Sequence, residues 1–161
     1  MKKGFLFLAV AITGTLFIAA SQTVNSAAGA RSVSSSDRLS ISEPRYSGQW
    51  KGNELTVDYS YSRNQGQIDL SGNIRFADSM VLGYSSLLYF RLGVVFVDES
   101  GRVVQEIGLA TSRDSFDPIP FHRSINLPSN AVSMAFNYDG KAAEASDGGS
   151  GLTSFWHYPS R

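Results

Sequence analysis

Side chains able to do acid–base or nucleophilic chemistry are sparse in this chain. It has no cysteine and only two histidines, His122 and His157. Serine hydrolysis needs a serine, a histidine and an orienting carboxylate brought together. No serine sits in the Gly-x-Ser-x-Gly turn that would expose such a nucleophile. Two histidines without a close third ligand make a poor transition-metal site, and the lack of cysteine removes zinc thiolates and thiol nucleophiles. Asp114 and Asp117 in "RDSFDP" are conceivable calcium ligands. They lack the alternating acids of a dedicated calcium loop, however, and an aspartate before Pro118 is an ordinary turn former. Glycoside hydrolysis would need paired carboxylates with one pKa raised, and no spacing marks such a pair. The sequence therefore points away from an enzyme, and no metal or cofactor is expected. An envelope hydrolase ranks last of three readings.

The chemistry that does stand out is aromatic. The chain finishes on "GGSGLTSFWHYPSR", residues 148–161, with one of its two tryptophans between Phe155 and His157. If this segment is extended, Leu152, Ser154, Trp156 and Tyr158 share one face while Thr153, Phe155 and His157 share the other. Phe155 and Trp156 then cannot both enter one core. Two readings follow. Either the strand closes the domain with one ring inside and the other under a loop, or the outward ring is a contact platform. The glycine-rich segment from Asp139 to Gly151, which includes Asp147, is expected to be a loop beside it. That segment is no phosphate cradle, because it does not link a strand to a helix and no Gly-Lys-Ser/Thr follows. The candidate contact residues are thus Phe155, Trp156, His157, Tyr158, Asp139 and Asp147, for a glycan face or another envelope protein.

The elements that must position these residues are strands. In "ELTVDYSYS" Leu55, Val57, Tyr59 and Tyr61 alternate with polar residues, and in "QIDLSGNIRF" Ile68, Leu70, Ile74 and Phe76 do the same. The turn residues Arg63 to Gly66 join them as an antiparallel hairpin. A second hairpin hinges at Asp98 to Gly101; its first arm, Leu88 to Val97, is apolar on both faces, with Leu88, Phe90, Leu92, Val94 and Phe96 on one and Tyr89, Val95 and Val97 on the other, and must be central or covered. Phe121 to Leu127, and Val132 to Tyr138, give further alternating runs, while Ala77 to Ser86 has room for one short turn of helix. With edge strands at Tyr46 to Trp50 and Leu152 to Tyr158, about seven or eight strands at short turn spacing imply an all-β fold, an antiparallel β-sandwich of Ig-like or jelly-roll-like type. Irregular loops are expected at Ala110 to Pro120 and Asp139 to Gly151.

Ahead of the domain, Met1-Lys2-Lys3 and the apolar run to Ala20 read as an export signal over residues 1–21. Cleavage is expected after Ser21, Ala28-Gly29-Ala30 being a second option and retention as an anchor a third. Residues 22–44, rich in serine and without an aromatic, read as a flexible linker, and residues 45–159 as the sandwich. The localisation expected is periplasmic or secreted in a bacterium, and not as a lipoprotein, since no cysteine can take the lipid. Lys2 and Lys3 leave with the leader, so the whole-chain balance of 14 basic and 14 acidic residues becomes slightly acidic. That argues against nucleic acid and against a polybasic membrane patch. The favoured function is an exported, non-catalytic binding module. Its rival is an assembly component that forms a homo-oligomer through Leu88–Val97 or pairs through a free sheet edge.

Overall fold

The structure, a computed structural model, describes residues 31–144 and 151–159. The expected leader, its cleavage sites and Asp147 lie outside the described residues.

Alternation does what the sequence implies. Strands β3 (Leu55–Asn64) and β4 (Gln67–Phe76) pair in a continuous antiparallel register. Gln65 and Gly66 turn the chain with φ of 45° and 82°, the two positive angles that match the twist of a two-residue hairpin. Leu55, Val57, Tyr59, Tyr61, Ile68, Leu70, Ile74 and Phe76 are all buried. Strand β2 (Arg45–Lys51) flanks β3, and β7 (Ile119–Asn126) flanks β4, completing a four-stranded sheet in the order β2-β3-β4-β7.

A short helix, α1 (Asp78–Gly83), carries the chain from β4 to the second layer. There β5 (Tyr84–Val97) lies between β6 (Val103–Ser112) and β8 (Ser133–Glu144). The remaining side of β8 is paired in two parts. β1 (Leu39–Ser40) meets Met134 and Ser133, and β9 (Leu152–His157) runs from Tyr138 to Ala143. This gives the five-stranded sheet, and with it a two-layer antiparallel sandwich. Phe90, Leu92, Val94, Phe96, Met134, Phe136 and Tyr138 face the other layer and fill the core. Burial of apolar area on this scale is the main force holding the layers together. It also raises the pKa of enclosed phenols. Burial pushes Tyr59 up to about 12. It raises Tyr138 as well, where the hydroxyl also donates to the Glu54 carboxylate.

Four expectations need correction. The serine-rich segment 22–44 is not a linker throughout: from Arg31 it is part of the fold, with Val33 and Ile41 buried. A few apolar side chains suffice because the backbone is also tied, Val33 N–H donating to Gly101 (2.8 Å), Arg31 accepting from Val103 (3.0 Å) and Ile41 N–H donating to Val132 (3.3 Å). Second, Leu88 does not join Phe90 and Leu92 inside. A register shift between Leu87 and Tyr89 sends Leu87 into the core and leaves Leu88 exposed. Third, Asp139 to Glu144 is strand and not loop, because β8 continues between two partners. Fourth, β6 runs to Ser112 and β7 starts at Ile119, shortening the loop expected over 110–120.

The two-faced apolar character of β5 now has a cause. Its outer side chains Val95 and Val97 cluster with Val103, Ala135 and Val33. The covering layer at this end is the chain's own segment around Val33, braced by an Arg31–Glu106 ion pair at 2.6 Å.

Candidate functional site

Strand β9 parts its two adjacent rings. Phe155 is buried and lies across Gly140, its register partner, where a side chain would leave the ring no room. It packs against Phe90 and Tyr138, with ring centroids 6.4 and 6.3 Å away. His157, on the same face, stacks on Tyr138 at 5.8 Å and meets Trp50 at 5.2 Å. Phe155 and His157 therefore belong to the interior side of the strand, Phe155 buried and His157 half-buried. Trp156 points the other way, 63% exposed, and Tyr158 beyond the strand is 48% exposed. Of the expected contact residues, the structure brings together Trp156, Tyr158 and Asp139 on the outer face of the five-stranded sheet.

Cross-strand register arranges that face in rows. Trp156 is opposite Asp139, Asp139 opposite Arg91, and Arg91 opposite Thr111, a line through β9, β8, β5 and β6. Three strand spacings of about 4.8 Å make it roughly 14 Å long. In the next row Ser154 is opposite Lys141, and Lys141 opposite Tyr89. On the other side Asn137, Gly93 and Gly108 are aligned. Gly93 and Gly108 carry no side chains, and a depression of about 270 Å³ forms there, walled by Tyr158, Asp139, Asn137 and Arg91. Arg91 is held in place from two sides. Its Nη2 donates to Asp139 at 2.9 Å, and its guanidinium carbon is 5.6 Å from the Tyr89 ring centroid. Asn137 is fixed by donating to Glu106 at 2.7 Å. The depression thus offers the Tyr158 ring, a pinned guanidinium, the carboxylates of Asp139 and Glu106 and an amide around a shallow floor, with the Trp156 ring next to it, opposite Asp139. Such a set binds polar ligands by stacking and hydrogen bonding.

The outer face of the four-stranded sheet is different. Ser47, Ser60, Ser71 and His122 form a row of small polar groups across it, within a hollow of about 550 Å³. The hydroxyls of Ser60 and Ser71 are 3.1 Å apart, and Asp69 accepts from Ser124. Among the described residues, no hydrogen bond joins His122 to Ser71 or to Asp69. Asp58 accepts from Gln49 at 2.7 Å and pairs with Arg75 at 2.6 Å. The Gln49 hydrogen bond first, and the Arg75 charge after it, hold the Asp58 carboxyl below its usual range. His122 and His157 lie on different sheets. No group of three or more histidines or carboxylates is placed to hold a metal among the described residues, Asp114 and Asp117 included.

Sequence reasoning missed Arg91, Tyr89, Lys141, Gly93 and Gly108. The only local signal was that Tyr89, Arg91 and Gly93 share one face of an extended β5. Their alignment with Asp139 and Trp156 depends on pairing between strands far apart in the chain. No family model and no curated protein matches this sequence.

Proposed function

We propose that this protein is an exported, non-catalytic binding module of the bacterial envelope that holds a glycan against the outer face of its five-stranded sheet. The observation that carries the reading is Trp156: a large ring, 63% exposed, on a paired strand, with no aromatic ring packed against it among the described residues. Isolated exposed apolar residues are common on protein surfaces. Here, however, a second ring and a row of fixed polar groups stand beside it around one depression. Indole and phenol faces stack on the apolar face of a sugar, while Arg91, Asp139 and Asn137 supply donors and acceptors for its hydroxyls. The export signal and the absence of cysteine support an envelope location. The rival assembly reading drew on the two-faced β5, whose apolar outer residues Val95 and Val97 are covered within the chain by Val33.

Removing the ring tests the proposal. Truncating a central aromatic anchor costs about 2 kcal/mol or more, roughly thirty-fold in Kd. Affinity chromatography on a panel of immobilised polysaccharides should retain the parent protein on at least one matrix and release Trp156→Ala early. Equal retention of the two forms on every matrix, or retention of the parent only by other envelope proteins, would remove the glycan reading.

A further inference from the structure

The charge around this face is unbalanced in a way that specifies the ligand further. Lys141 is opposite Tyr89, in the row next to Arg91. Arg113 follows the end of β6 two residues after Thr111, the partner of Arg91. Diagonal neighbours of this kind are about 7–8 Å apart, within reach of long side chains. Arg91, Arg113, Tyr89 and Thr111 line a second hollow, of about 680 Å³, which meets the glycine-floored depression at Arg91. The carboxylates here are both already paired: Asp139, in these rows, with Arg91, and Glu106, which also lines the depression, with Arg31. Neither Lys141 nor Arg113 forms an ion pair among the described residues. Over the whole chain basic and acidic residues are equal, at 14 each, so this cationic excess is local. On the opposite sheet the exposed carboxylate of Asp58 is neutralised by Arg75.

We propose that the groove takes an acidic polysaccharide, a glycan bearing carboxylates along its chain. This inference rests on the binding reading given above and adds the ligand's chemical class. A sugar ring lies on Trp156 and Tyr158, and its neighbours run over Arg91 towards the second hollow, where their carboxylates meet Arg91, Lys141 and Arg113. Arg91 spends one of its five N–H donors on Asp139 and keeps others for the ligand. Because Asp139 and Tyr89 already fix its orientation, little side-chain freedom is lost on binding. An acidic protein segment would satisfy the cations but would leave the flat rings and the bare glycine floor unexplained.

The test is titration calorimetry of the mature chain with polygalacturonate, with neutral dextran and with polyglutamate, at low and high salt. Three exposed ion pairs together predict about ten-fold tighter binding of polygalacturonate than of dextran, an advantage that salt diminishes. The double variant Arg113→Gln/Lys141→Gln should reduce polygalacturonate towards the dextran level while keeping its fold. Trp156→Ala should weaken polygalacturonate binding by roughly thirty-fold. Equal affinity for dextran and polygalacturonate would overturn the acidic assignment and leave the glycan reading standing. Polyglutamate bound as tightly as polygalacturonate, with no effect of Trp156→Ala, would show that the face reads charge alone and would overturn the proposal. Binding of none of the three would count against both readings.

Discussion

Phe155→Ala should destabilise the domain by about 3–5 kcal/mol, whereas Trp156→Ala, one residue on, should change stability by no more than about 0.5 kcal/mol. Phe155 fills the space between Phe90 and Tyr138 over Gly140. Its loss leaves a cavity that the Gly140 backbone and two fixed rings can close only in part. The upper bound is set by the strand itself, since release of β9 from the edge of β8 would end the penalty. Trp156 has little packing to lose. Urea unfolding at constant m reads both values. Similar losses for the two variants would mean that both rings share one interior, and the outward platform would not exist.

The second large effect is expected where composition offers least reason for one. Ile41→Ala should cost about 2–5 kcal/mol, as for any large aliphatic side chain fully enclosed in a core. Ile41 lies in a segment that composition marks as solvated, yet it is 0% exposed. Its backbone is bonded in both directions, to Val132 and to the Arg63 guanidinium. A stability loss below about 0.5 kcal/mol, typical of a surface position, would return residues 39–41 to the linker and leave the Met134 end of β8 paired with β5 alone.

These two positions show which physical features can be read along a chain and which cannot. Period-two alternation in β3 and β4 is a local property, and it identified the hairpin and the residues it buries. The outward turn of either Phe155 or Trp156 followed from the same rule, but the choice between them did not. That choice depends on Gly140, which offers a flat backbone for one ring to cover. Register shifts erase the rule locally: the one between Leu87 and Tyr89 reverses the sides taken by Leu87 and Leu88. The segment "DGKAAE" has neither alternation nor β-branched residues, and it is strand because β5 and β9 pair with it on both sides. Val33 and Ile41 escaped notice because two isolated apolar residues among serines carry no periodic signal. The rows through Trp156, Asp139 and Arg91 unite residues separated by more than sixty positions in the numbering. Only tertiary pairing creates them.

The central claim is that ligand contact is confined to the outer face of the five-stranded sheet. The most direct measurement is a two-dimensional 15N NMR titration of the protein with short oligogalacturonates, following the two tryptophan indole N–H signals and the backbone amides. The account expects the Trp156 indole to shift together with the amides of Tyr158, Arg91, Gly93 and Gly108, while the Trp50 indole and the Ser60 and Ser71 amides remain in place. Shifts centred on the Ser47–His122 row, or a Trp156 signal unmoved at saturation, would contradict it.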